Sequence, residues 1–172
     1  TLRGGQVAGI EAGYPDPDDA EIRVVDLSGS FVLPGLIDCH THITFRLSKD
    51  SKLEAVEDSE ADVAIQATIY AKDTLQSGVT TIRNVGSSGD AVFALRDAIA
   101  SGNIAGPRIL AAGCALSPSG GHGDDTHGYR EGLFDLPGAF GGIADGPDSC
   151  RKAVRLQVKR GADVIKLTAT GG

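Results

Sequence analysis

Two histidines, His40 and His42, stand two residues apart in the run Leu36-Ile37-Asp38-Cys39-His40-Thr41-His42. In a strand, side chains alternate in direction, so Asp38, His40 and His42 share one face and Cys39 and Thr41 the other. Two imidazoles on one face can share a divalent cation. Taken alone, the pair reads first as two polar residues at a strand end. A lysine, Lys166, sits in Val164-Ile165-Lys166-Leu167-Thr168, in the middle of a second apolar run. A buried, unpaired ammonium is costly, so such a lysine sheds its proton or gains a partner. A neutral amine can add carbon dioxide and become a carbamate, an anion able to bridge two cations. Alone, Lys166 reads first as a snorkelling or ion-paired side chain. The combination is far more specific than either feature.

The elements that must position these groups follow from periodicity. From Phe31 onward the chain alternates strand, loop and helix. The first strand runs from Gly35 to His42 after Pro34. A helix is expected from Lys52 to Ser77, with Ser51 and Glu54 as a capping box and Gly78 at its end. Its buried stripe is Val56, Val63, Ala67, Ala71 and Leu75. Val79 to Val85 is the second strand. Asp90 can cap a helix carrying Val92, Leu95 and Ile99 and closed by Gly102. Arg108 to Ala112 is the third strand, followed by a long Gly-rich stretch from Cys114 to Gly146. A helix from Asp148 to Arg160 presents Cys150, Val154 and Val158 on one side and stops at Gly161. The fourth strand is Asp163 to Ala169. Before this pattern, Gln6 to Ile10 and Glu21 to Leu27 read as strands around the polar turn Gly13 to Asp19. Strands alternating with helices imply a parallel sheet, either open and doubly wound or closed into a barrel. No GxGxxG or GxxxxGK[ST] follows the first strand, which argues against nucleotide binding. Strand C-terminal ends are where ligands gather in parallel α/β folds, and the histidines lie at one.

The 172 residues suffice for one sizeable core, and 41% apolar with 23% charged residues is a globular composition. A net charge of −7 argues weakly against a nucleic-acid partner. No apolar run approaches the roughly 20 residues of a membrane-spanning helix. Three cysteines, Cys39, Cys114 and Cys150, lack CxxC spacing and are expected as buried free thiols. A cytoplasmic location is expected; the first residue is Thr1, and a removed leader or trimmed N-terminus stays open.

The run Val32-Leu33-Pro34-Gly35-Leu36-Ile37-Asp38-Cys39-His40-Thr41-His42 resembles the opening signature of the amidohydrolase superfamily. The similarity continues through Gly78-Val79-Thr80-Thr81-Ile82-Arg83, Gly106-Pro107-Arg108-Ile109-Leu110, Gly120-Gly121-His122-Gly123 and Ala162-Asp163-Val164-Ile165-Lys166. It covers nearly the whole chain after residue 30 and is most similar to prolidase-like (Xaa-Pro/dipeptide) dipeptidases and imidazolonepropionase relatives. The resemblance implies a (β/α)8 TIM-like barrel, with its first four βα units in residues 34–172 and part of a small β-sandwich domain in residues 1–33. It implies that His40 and His42 bind one metal and that a carboxylated Lys166 bridges it to a second, two divalent ions in all, zinc being expected. Such ions would lower the pKa of a shared water and polarise a scissile carbonyl. The superfamily's later histidines and catalytic aspartate lie outside this chain. The segment alone is therefore expected to be inactive, its partner being the remainder of the barrel beyond Gly172. Relatives often have Asp where this chain has Asn84, which puts a charge pair there in doubt.

The expected activity is cleavage of an amide bond in a dipeptide or N-acyl amino acid. Lys166 is a catalytic residue in this reading, and His122, in the long loop, is a candidate substrate contact; alternatively Gly120 to Gly123 only builds a turn, with His122 solvated. His127, Asp124, Asp125 and Tyr129 share that loop. Arg83 either reaches the site or pairs with an acid, and Asp38 is expected to support a ligand histidine. One rival is a cyclic-amide hydrolase (imidazolonepropionase-like) or deaminase of the same superfamily, though a carboxylated lysine speaks against the deaminase. Another is a non-enzymatic α/β binding module. Homo-oligomerisation stays open.

Overall fold

The computed structural model describes residues 1–13, 22–135 and 137–170. The chain divides into two units, Thr1–Pro34 and Gly35–Gly172. In the first, β1 (Leu2–Arg3) and β2 (Gln6–Val7) form an antiparallel hairpin. Gly4 and Gly5 both take positive φ, 57° and 78°, as a two-residue hairpin turn requires. The strand expected from Gln6 to Ile10 thus ends at Val7. Residues 22–27 form no strand, contrary to expectation, because no other strand among the described residues pairs with them. Glu21 and most of the expected polar turn lie outside the described residues.

In the second unit, β3 (Leu36–Thr41), β4 (Val79–Asn84) and β5 (Arg108–Ala111) form a parallel sheet in the order β3-β4-β5. Helices α1 (Ser51–Glu57) and α2 (Glu60–Gln76) connect β3 to β4, and α3 (Ala91–Ala100) connects β4 to β5. Period-two alternation sorts the sheet into faces. Ile82, Ile109 and Ala111 point into a core with Ala67, Ala71, Val92, Phe93 and Leu95. Arg83, Arg108 and Leu110 point to the opposite, uncovered face.

The single long helix expected from Lys52 to Ser77 is two helices. Ser59 accepts from the Asp62 N–H and the Asp62 carboxylate accepts from the Ser59 N–H, so the capping box sits here and starts α2. Ser51 does not cap: the N-cap of α1 is Asp50, and Ser51 Oγ instead accepts from the Ser48 N–H at 2.8 Å. Gly78 and Gly102 do close their helices at φ 88° and 75°. Asp90 stands at the N-cap of α3 without a capping bond, because its carboxylate accepts from Arg160 Nε at 2.8 Å.

Helix α4 (Gly146–Arg160) buries Ala153 and Gln157, not the face expected. Cys150 and Val158 are exposed and Val154 is half-buried. Gln157 is buried because its amide is fully used: Oε1 accepts from the Cys114 N–H at 3.2 Å and Nε2 donates to the Phe140 carbonyl at 3.3 Å. Of the cysteines only Cys114 is buried; Cys39 is exposed, as Cys150 is. The expected fourth strand is a single parallel bridge, Leu116↔Leu167. Beyond β5, Gly113 turns the chain at φ 70°, and the segment after α4 bonds β5 only at its start, Asp163 N–H to the Ala111 carbonyl, before meeting Leu116. No helix among the described residues is long and apolar enough to cross a membrane.

Candidate metal centre

His40 is the next-to-last residue of β3 and is exposed, and His42 lies just beyond the strand, half-buried. Their ring centroids are 5.5 Å apart at 58°. His42 Nδ1 lies 3.0 Å from the Gly86 carbonyl oxygen. A carbonyl only accepts, so Nδ1 of the neutral ring carries the proton and Nε2 keeps its lone pair. A Cβ at Gly86 would lie 3.0 Å from His42 Cε1 and 3.1 Å from Nδ1, so the ring would have to give by a few tenths of an ångström. The ring also packs on Phe45, centroids 5.3 Å apart.

Asn84, fully buried, fixes the same corner. Its Oδ1 accepts from the Ile43 N–H at 2.6 Å, and its Nδ2 donates to Ser87 Oγ at 2.7 Å and to the Gly86 carbonyl at 3.3 Å. A carboxylate could accept but not donate, so the amide suits this position as Asp would not. Thr44 Oγ1 donates to Ser87 Oγ at 2.8 Å and completes the network. Sequence reasoning treated Asn84 only as a departure; a buried polar residue at a strand end, beside Gly86, was the available signal.

Asp38 Oδ1 accepts from the backbone N–H of His40 at 2.9 Å, so it holds the main chain of His40. The shared face expected of Asp38, His40 and His42 is broken: Asp38 and His42 line a hollow of about 470 Å³ with Tyr70 and Asp73, whereas His40 lines a different cleft. The cause is a register shift in the β3–β4 ladder between Asp38 and Thr41.

The His40 cleft, about 230 Å³, is lined also by Arg83, Val85, Val164, Ile165, Lys166 and Leu167. Lys166 is half-buried, not enclosed on both sides as expected, because one face of the sheet is uncovered. Its Nζ has no hydrogen-bond or ion-pair partner among the described residues. His122 is exposed and is not among the residues lining this cleft. Its loop is a built turn: Gly121 N–H donates to the Pro118 carbonyl, and the Asp124 carboxylate accepts from the N–H groups of Gly120 (2.8 Å) and Thr126 (3.1 Å). The Thr126 hydroxyl and the Gly120 N–H hold Asp124 below the usual carboxylate range. Asp125 is exposed at the surface yet is pushed up by partial loss of water and then by the Asp124 charge, against a hydrogen bond with Ser88.

Two imidazoles at this spacing, one with its tautomer set by Gly86, suit half of a four-coordinate cation site. Among the described residues no group of three His, Cys, Asp or Glu side chains completes it. The amidohydrolase family pattern matches residues 31–172. The chain belongs to the amidohydrolase family. Within it, the chain is 36% identical over 155 residues to ochratoxinase of Aspergillus niger, covering 82% of this chain and 31% of that protein. It is 37% identical over 81 residues to imidazolonepropionase of Pseudomonas putida, covering 45% and 18%. The crystal structure of a Xaa-Pro dipeptidase with methionine in its active site matches with a TM-score of 0.75 and 43% identity, over 81% of this chain and 34% of that one. The chain therefore spans about a third of the ochratoxinase and dipeptidase chains.

Proposed function

We propose that the chain contributes the opening strands of a (β/α)8 barrel, residues 34–172, that hydrolyses an amide bond of a dipeptide or N-acyl amino acid, with residues 1–33 as part of a small β-sandwich. The observation that carries it is the placement of His40 beside His42 and, across one cleft, beside the unpaired amine of Lys166. The likeness to a Xaa-Pro dipeptidase supports the substrate class.

His40 and His42 would hold one divalent cation, and a carboxylated Lys166 would reach a second. When bound, such cations supply Lewis acidity toward a carbonyl and toward water near neutral pH. The chain's own part is placement. Gly86 and Asn84 hold the His42 ring, Asp38 holds the main chain of His40, and Val85, Val164 and Leu167 line the cleft beside His40 and Lys166. His122 would contact the substrate from the loop above.

The test uses the complete protein, purified without chelator and assayed on Xaa-Pro dipeptides and N-acyl amino acids, with metal counted by elemental analysis. Lys166→Ala is expected to lose most of its metal and at least about a hundredfold in kcat/KM, the scale of losing a metal's charge stabilisation. Normal turnover with full metal content in that variant refutes the bridging role.

A further inference from the structure

We propose that Arg83 is a positioning residue for this centre: it closes the irregular part of β3 behind His40 and offers its terminal nitrogens to the anion formed on Lys166. The inference rests on the reading of Lys166 given above. The β3–β4 ladder pairs Asp38 with Ile82 and next pairs Thr41 with Asn84, which leaves Cys39 and His40 outside the register. Arg83 Nε donates to the Cys39 carbonyl at 2.8 Å, and Thr41 Oγ1 donates to the Arg83 carbonyl at 3.3 Å. The arginine thus supplies the bond that the shifted ladder omits, one residue from a ligand histidine.

Its other two nitrogens are the ones with a use to explain. Arg96, Arg151 and Arg160 pair with carboxylates. Arg46, Arg108, Arg130 and Arg155 are exposed without such a pair among the described residues, so what sets Arg83 apart is its place beside Lys166. The terminal nitrogens of Arg83 have neither an ion pair nor a hydrogen bond among the described residues. They belong to an exposed side chain that lines the same cleft as Lys166, together with His40, Val85, Val164, Ile165 and Leu167 and no carboxylate. Two cations in one cleft without an acid between them repel, and an anion there relieves it. The Lys166 ammonium first gives one proton to water, and the neutral amine so formed attacks the carbon of dissolved carbon dioxide. The nitrogen–carbon bond forms, one carbon–oxygen π pair moves onto oxygen, and the nitrogen's proton leaves to water. The lysine thereby changes from cation to anion, and a guanidinium edge matches its two oxygens.

The experiment follows the carbamate directly. Complete wild-type protein and its Arg83→Gln and Arg83→Lys variants are refilled with zinc in ¹³C-bicarbonate, and the carbamate carbon is read by NMR. Arg83→Gln is expected to need roughly tenfold more bicarbonate for half its maximal signal, the effect of losing a charged hydrogen bond. Arg83→Lys, which keeps the charge on a single nitrogen, falls between. Wild-type bicarbonate dependence in a folded Arg83→Gln overturns the role of Arg83 and leaves the Lys166 reading standing. Should Arg83→Gln fail to fold, Arg83→Lys decides, and wild-type dependence there overturns the proposal. Absence of any carbamate signal in the wild type overturns both.

Discussion

His42 is oriented by main chain, and this makes a glycine the most sensitive neighbour of the ring. The Gly86 carbonyl accepts from both His42 and Asn84, while a methyl group on its Cα would press on the ring at 3.0 Å. Gly86→Ala is expected to turn the imidazole and weaken metal binding about 10–100-fold, the scale seen when a ligand histidine loses its outer partner. Circular dichroism should stay native, and a zinc titration with a competing chelator checks the affinity. That His40 and His42 lie close together was legible in the sequence, because neighbours two apart need no knowledge of the rest. That they face different hollows was not, because the register shift after Asp38 turns them apart. Asn84 was not legible either, since its worth lies in bonds to Ile43, Gly86 and Ser87 that only the folded corner makes.

Helix ends and buried faces were harder to read than helices. The stretch after Ser51 has an unbroken apolar period, so one helix was expected, yet Ser59 and Asp62 make a capping box strong enough to start a new one. In α4 the apolar Val158 stays out and Gln157 goes in, because Cys114 and Phe140 satisfy its amide. Gln157→Ala would strip both partners and is expected to destabilise the fold by about 1–3 kcal/mol, the cost of unpaired buried polar groups; denaturant unfolding of the complete protein checks this. Nearby, Arg160 lies between the rings of Phe93 and Phe140, 5.5 and 4.7 Å from their centroids, a contact no local pattern announces. In the long loop, Asp124 sets a pH dependence. Its folded pKa lies below the ordinary value of 3.8, so its stabilisation is full above that value and is lost as pH falls through the folded one. The Thr126 amide resonance should hold from pH 7 down to about 4 and shift below it, and Asp124→Asn should abolish that step.

At the scale of the whole molecule, the alternation of strand and helix was enough to predict a parallel sheet, and β3, β4 and β5 form one. It was not enough to place the fourth segment, because pairing there depends on where Gly113 turns the chain. The burial expected for Lys166 assumed cover on both faces of the sheet, and one face is bare. The strand that carries His40 is also the outermost one, with Leu36 58% and Ile37 67% exposed. Whatever zips onto that border also steadies the imidazoles, so assembly of the polypeptide and loading of the proposed ions become thermodynamically linked. Titrating zinc into stripped complete protein should then raise its Tm with concentration, as a native-state ligand does; a Tm indifferent to zinc would mean that border and ligands settle independently.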